Sequence, residues 1–285
     1  MHRFLLRRFW LVLLLAVMAI GPARAQTYQD RAWQRVDAAT LAFRGQIQPR
    51  RFLPTEHPVS DAVLLARNLT PETRTLVLSS GGGDVAVALA MARMIHERRL
   101  NVVVDGRCAS ACAVLLFLAG DQKAVRPGAV LEFHSTNSLD PRDTPDAHLR
   151  LTREMQAIQG RLPDLARDGV AVAPPDLGGA TVDAILAARR QNAAQLRDDI
   201  AALYQDLGVD AALLGDIDRA ADAYLADHPD LTRDQVWWCL SPRLLADRYH
   251  VTGLGDVWMP DTADALTQAA ERFITGGMHL IRDHW

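Results

Sequence analysis

Lysine is nearly absent: Lys123 stands alone among 31 basic residues, and cysteine occurs only three times in 285 residues. No lysine follows the chain's glycine-rich turn, so a nucleotide-binding P-loop is not supported. A serine–lysine dyad would have to use Lys123, which no motif marks as a base. Three cysteines leave an odd one if any pair forms. Cys108 and Cys112 lie four apart and Cys239 far along the chain. The open alternatives are a disulfide from Cys239 to one of the other two, and buried thiols, since cysteine is among the most buried residue types. No Cys-x-x-Cys and no histidine cluster with zinc spacing occurs, so no metal is expected. A basic surplus is also missing. The formal charge is −3, and becomes −7 without residues 1–25, which carry Arg3, Arg7, Arg8 and Arg24 and no acid. A general nucleic-acid binder would show a basic face instead.

A second long apolar run is missing too. The one that exists, Phe9 to Ile20, follows the basic residues Arg3, Arg7 and Arg8 and precedes Ala23-Arg24-Ala25. That order reads as an export signal cleaved before Gln26, giving a periplasmic or secreted protein. Twelve apolar residues fall short of the roughly 20 that span a bilayer core; the rival reading is an uncleaved anchor that uses Gly21 and the following residues to lengthen the span. About 260 residues then remain, enough for one large domain or a domain with an appended subdomain.

What is present follows an α/β pattern. Leu41 to Gln46 predicts a strand and Pro58 to Leu69 a helix capped near Ser60-Asp61. Thr75 to Leu78 predicts a buried strand that runs into Ser80-Gly81-Gly82-Gly83. Apolar residues at 85, 87, 89, 91, 92 and 95 predict a helix packed on a sheet. Strands follow at Asn101–Val104 and Val130–Phe133, around an apolar helix over Ala109–Leu118. A parallel sheet of this kind binds ligands at the carboxyl ends of its strands, where the glycines and His134 both fall. Residues 26–40 read as a polar lead-in, and 26–136 as the α/β core. Residues 137–228 read as a helical insertion, with helices over Asp146–Gln159, Thr181–Leu207 and Asp210–Tyr224. Its apolar stripe either mediates self-association or packs on a core of its own. Residues 229–285 return to the core through Val236 to Leu240, a helix from Ser241-Pro242 and the segment Val251–Val257; the tail from Asp261 is uninformative.

Three features in one order make a candidate site. Glycines 81–83 permit backbone geometry that other residues resist and let a carbonyl approach their N–H groups. Ser110, between two alanines, opens an apolar helix, and His134 closes a strand. An oxyanion donor, a nucleophile and a base are the parts of serine acyl transfer. Each has an ordinary counterpart: a tight turn or weak phosphate loop, a helix N-cap serine and a sheet-edge histidine. A cysteine nucleophile is less suited, because helix residues two apart point to different sides and neither Cys108 nor Cys112 can replace Ser110.

Residues 42–134, about a third of the chain, resemble the proteolytic subunit of the Clp protease, within the wider Clp-protease/crotonase fold. Phe43-Arg44-Gly45-Gln46-Ile47 is similar to its first core strand. Ser80-Gly81-Gly82-Gly83 resembles its Ser-Pro-Gly-Gly loop, with glycine in place of proline. Ala109-Ser110-Ala111 resembles its Ala-Ser-Met nucleophile turn, and Phe133-His134 its base. With the signal and Cys108-Ala109-Ser110-Ala111-Cys112, the chain looks like exported Clp-protease-like proteins. The resemblance implies a ββα-repeat core with a parallel sheet flanked by helices, Ser110 as nucleophile and His134 as general base. It implies an oxyanion hole from the N–H groups of Gly83 and Ala111, with Gly81 and Gly82 on the substrate side. The family's acid precedes a segment that Leu240 to Ala246 resembles, and falls near Trp237, which has no carboxylate. Asp234 is the nearby candidate, with Asp183 behind it. The implied activity is an ATP-independent serine peptidase, without cofactor, acting on peptides or unfolded chains. No ATP-driven unfoldase is expected outside the cytoplasm. The family's rings and crotonase trimers imply a homo-oligomer, but their geometry does not transfer, because the stretch 146–224 where ring contacts arise is longer and differently composed. The rival readings are a catalytically weak or inactive scaffold that binds extended peptides or a protein partner and, behind it, an acyl-CoA enzyme.

Overall fold

Alternating apolar strands and amphipathic helices form one mostly parallel, mixed sheet flanked by helices. The structure, a computed structural model, describes residues 32–51, 58–134, 182–232, 235–273 and 279–282. The stretch read as an export signal, the helix expected over 146–159 with the turn-rich stretches beside it, and Asp234 lie outside the described residues. Along the chain come β1 (Trp33–Arg35), β2 (Thr40–Arg44), α1 (Asp61–Asn68), β3 (Thr75–Ser80), α2 (Val85–Glu97), β4 (Asn101–Ala109) and a π-wound helix α3 (Cys112–Phe117). Next are β5 (Lys123–Val125), β6 (Val130–Glu132), α4 (Val182–Leu207), α5 (Ala212–Asp227) and β7 (Val236–Cys239). The last elements are α6 (Pro242–Asp247), β8 (Leu254–Val257), α7 (Ala263–Glu271) and β9 (His279–Arg282).

The sheet runs β1-β2-β3-β4-β5-β8, with β6 also on β4. Only β1 is antiparallel to its neighbour. Its hairpin turn is closed by Asp37, whose carboxylate accepts from the Ala39 and Thr40 N–H groups, both at 2.8 Å. The strand lies inside the stretch read as a polar lead-in. Trp33 there is buried and donates to the buried Asp61 carboxylate at 2.9 Å.

β4 divides the sheet. Val102–Val104 pair with β5 and Arg107–Ala109 with β6. Between them the register against β3 jumps from Leu78↔Val104 to Ser80↔Cys108. Such a bulge bends and twists a strand. Gly106 sits in it at φ +132°, against the Ser79 side chain. The strand end is thereby turned toward β6, which positions the site described below. The sequence pattern predicted only the first four residues of β4, because Asp105-Gly106-Arg107 breaks its apolar run.

Leu41, Phe43, Leu76, Leu78, Val102 and Val104 line the buried face of the sheet. Side chains of α1, α2, all of α3 and one stripe of α4 and α5 belong to the same core. On α4 that stripe includes Ile200, Leu203 and Tyr204, and the Tyr204 hydroxyl donates to the Val114 carbonyl of α3 at 2.8 Å. Full burial of such side chains contributes about 1.5–3 kcal/mol each. The stripe expected to serve self-association or a separate core is thus covered by the chain's own α/β core. Helix starts follow their capping residues. Ser60, Asp84 and Ser241 accept from Val63, Val87 and Leu244 N–H groups at 3.3, 2.9 and 3.1 Å.

Lys123 is buried and donates to the Gly120 and Thr252 carbonyls at 2.5 and 2.8 Å. Burial pushes its ammonium down to about 8. The lysine ties β5 to the turn before β8. In the second, two-stranded sheet, β7 pairs in parallel with β9. It meets the main sheet through one antiparallel bridge, Phe133↔Trp238. The tail read as uninformative contains α7 and β9. No helix among the described residues is long and apolar enough to cross a membrane.

Candidate active site

The turn that carries Ser110 begins where β4 ends. Ala109 is in register with Glu132 of β6, and the Ser110 N–H donates to the Glu132 carbonyl at 3.1 Å. The Ser110 carbonyl accepts from the Val114 N–H at 3.0 Å, so the residue joins strand to helix through both backbone groups. Its φ is +58°, a left-handed conformation that non-glycine residues seldom adopt. A single residue held there against its preference costs about 1 kcal/mol or more. The helix cap is Ala111, without a side-chain cap bond. Ser110 is therefore not the N-cap that its sequence context allowed. Its hydroxyl instead lies 2.6 Å from His134 Nε2.

His134 follows β6, one residue past the Phe133↔Trp238 bridge. That bridge is closed by Phe133 N–H to the Trp238 carbonyl at 2.7 Å and Trp238 N–H to the Phe133 carbonyl at 2.6 Å. It brings the neighbouring Trp237 to His134, with ring centroids 4.3 Å apart and planes at 51°. Trp237 stood in the sequence only as the residue where an acid was wanted. The structure puts its indole against the imidazole. Arg107 of β4 lies over the same indole, Cζ 5.0 Å from the centroid, and its Nε donates to Glu132 Oε2 at 2.8 Å. Glu132 is fully buried, and its Oε1 has no hydrogen-bond partner among the described residues. Burial raises the Glu132 carboxyl above its ordinary range, and the Arg107 guanidinium acts against that. Sequence reading missed Arg107 and Glu132. The available signal was the two-residue spacing of Glu132 and His134, which puts both on one face of an extended chain.

The glycine loop packs on this turn. Gly82 and Gly83 have φ of +91° and +137°. A Cβ on Gly82 would stand 2.6 Å from Ser110 Cβ, 2.7 Å from the Ala109 carbonyl oxygen and 3.1 Å from the Ala111 nitrogen. A Cβ on Gly83 would strike the backbone of Ile47, its partner in a parallel bridge. Ile47 N–H donates to Gly82 carbonyl at 2.8 Å and Ile47 carbonyl accepts from Asp84 N–H at 3.0 Å. The Gly82 N–H is taken by Ser80 Oγ at 3.1 Å. Among the described residues no acceptor takes the N–H of Gly83 or of Ala111, the two groups assigned to an oxyanion hole. Gly81 faces the Gln46 amide and, at 3.7 Å from the position of a Cβ, the Arg107 guanidinium.

Cys108 and Cys112 form a disulfide around Ser110, and Cys239 remains a buried thiol. The bond considered from Cys239 does not form, and the buried-thiol alternative holds for Cys239 but not for Cys108 and Cys112. The reason is the turn at Ser110, which holds the two Cα atoms 5.2 Å apart, within disulfide range. Closing so short a loop is worth about 2 kcal/mol by chain entropy. The Cys108→Ser/Cys112→Ser double variant is expected to lose about that much in urea unfolding. An unchanged unfolding midpoint would show that the bond adds nothing to the turn.

Asp183 falls in the first turn of α4. Among the described residues no group of three or more His, Cys, Asp or Glu side chains is placed to hold a metal ion. Compared with known proteins, the chain matches no family model and no curated protein.

Proposed function

We propose that this chain is an exported serine hydrolase, an ATP-independent peptidase acting on peptides or unfolded chains through an acyl-enzyme. The reading rests on one observation above all: a serine held at φ +58° with its hydroxyl 2.6 Å from a histidine ring nitrogen. That distance is within proton-transfer reach, and the conformation frees the hydroxyl from a capping role. The glycine loop against the same turn supports it.

In the proposed reaction Ser110 Oγ attacks the substrate carbonyl while His134 Nε2 takes the hydroxyl proton. The oxyanion of the tetrahedral intermediate is met by the N–H groups of Gly83 and Ala111. Collapse breaks the scissile bond, and the leaving amine takes the proton from His134. Water, deprotonated by His134, then releases the acyl group and restores Ser110. Asp234 remains the acid to which the resemblance points, and its role would be to orient the imidazole. The Clp-protease/crotonase fold, the export and a homo-oligomeric state belong to the same proposal.

The test is a fluorophosphonate probe on the processed protein, with the adduct located by peptide mass spectrometry. Modification of Ser110, abolished in Ser110→Ala, is the expected result. A folded sample that takes up no probe would mean that the scaffold binds partners without acyl transfer.

A further inference from the structure

We infer that Trp237 and Arg107 are positioning residues for His134, and that Glu132 holds Arg107 in that role. The inference rests on the serine-hydrolase reading.

The imidazole must keep its Nε2 on the Ser110 hydroxyl, yet a ring at the end of a strand can swing about two side-chain bonds. A misplacement of about 1 Å at such a contact can cost about 10²-fold in rate. One face of the problem is met by Trp237, 4.3 Å away between ring centroids. The indole is fixed in turn from two sides. Its neighbour Trp238 is pinned to Phe133, the residue before His134, by two backbone hydrogen bonds. Its ring carries the Arg107 guanidinium, a cation–π contact that favours Trp over other aromatic rings.

Arg107 and Glu132 tie this stack to the reacting pair. Arg107 lies three residues before Ser110 on β4, and Glu132 lies two before His134 at the end of β6. Their ion pair therefore crosses the two strands that carry nucleophile and base. A fully buried carboxylate with one oxygen unpartnered among the described residues is a costly feature to maintain, and such groups call for an explanation. Holding Arg107 on the indole supplies one. An acid at Nδ1, such as the candidate Asp234, would act on a different atom, so the two supports do not exclude each other.

Among the described residues, Arg107 from β4 and Glu132 from β6 are charged groups that reach this stack. Glu132 offsets the positive charge one ring away from His134. Removing that offset disfavours the imidazolium, so the acid limb of Ser110 reactivity moves to lower pH.

The experiment measures fluorophosphonate labelling of Ser110 per folded molecule in the full processed chain, from about pH 5 to about 9. Trp237→Ala is expected to slow the plateau rate about tenfold, and Trp237→Phe, which keeps an aromatic face, to restore most of it. Glu132→Gln keeps an acceptor for Arg107 Nε and drops the charge; its acid limb is expected a few tenths of a pH unit lower. A purely structural role would change the amount of folded protein and leave the limb in place. A plateau loss under about fivefold in folded Trp237→Ala overturns the inference, as does a Glu132→Gln limb that stays or rises. If Trp237→Ala does not fold, Trp237→Leu is judged by the same threshold. Wild-type protein that labels while the variants behave identically sinks this inference alone. Wild-type protein that never labels sinks the hydrolase reading and this inference with it.

Discussion

Replacing His134 by alanine is expected to slow acylation of Ser110 by about 10³-fold, within the usual range for a general base. A serine hydroxyl is almost entirely protonated near neutral pH, and its proton must leave as the carbonyl bond forms. Among the described residues, the ring nitrogen at hydrogen-bond distance from the hydroxyl is His134 Nε2, at 2.6 Å. The variant removes a half-buried ring and leaves the backbone bridge at Phe133 intact, so the fold is expected to persist. Intact-mass kinetics with a fluorophosphonate, alongside far-UV circular dichroism, measure both quantities. The wild-type rate is expected to fall with acidity, as the base takes up a proton, and the residual rate of the variant to lose that dependence. A folded His134→Ala protein that labels within about tenfold of wild type would show that the base is elsewhere.

Gly82→Ala is expected to lower the same rate by about 10²- to 10³-fold, the range for loss of an oxyanion donor. The added methyl would stand 2.6 Å from Ser110 Cβ and 2.7 Å from the Ala109 carbonyl oxygen, closer than real carbon contacts come. Neither neighbour yields easily. Ala109 is in the sheet, and Ser110 sits within the loop closed by the disulfide. The glycine loop must therefore retreat, taking the Gly83 N–H away from Ser110, and the φ of +91° adds backbone strain. A stability loss of about 1–3 kcal/mol accompanies the overpacking. Gly81→Ala is the contrasting variant. Its methyl meets the far end of the Gln46 side chain, which can turn aside. A folded Gly82→Ala protein that labels as fast as wild type would remove the glycine loop from the site.

The parts of this architecture legible in sequence are those written in short segments. Thr75–Leu78 entering glycines, and the helical period from Val85, announce a strand, a turn and a helix without reference to the rest of the chain. Ser110 and His134 stood out because each lies at the junction of two such segments. What escaped was decided by contacts between distant segments. β5 is three residues long and begins with the only lysine, whose head is satisfied by carbonyls that no local pattern foretells. β1 is three residues with glutamine and arginine in it, and is a strand because β2 offers it an edge. The bulge in β4 follows from Gly106 packing on Ser79, and without that bend Cys108 and Cys112 do not read as a pair. Trp237 meets His134 through a bridge between residues over a hundred positions apart. The wider winding of α3 likewise has no counterpart in its sequence, which is apolar on every side.

The left-handed backbone at residue 110 has a further consequence, for how such a chain would drift. Glycine tolerates φ +58° without penalty, and asparagine tolerates it better than serine does. For folding alone, serine is a poor occupant of that position, and either replacement would suit the turn at least as well. A lineage that kept the scaffold and abandoned the hydroxyl would be free to accept them. Serine at 110 is thus not what folding alone would favour, and the residue at this one position in divergent descendants is a simple marker of whether the proposed chemistry is under selection.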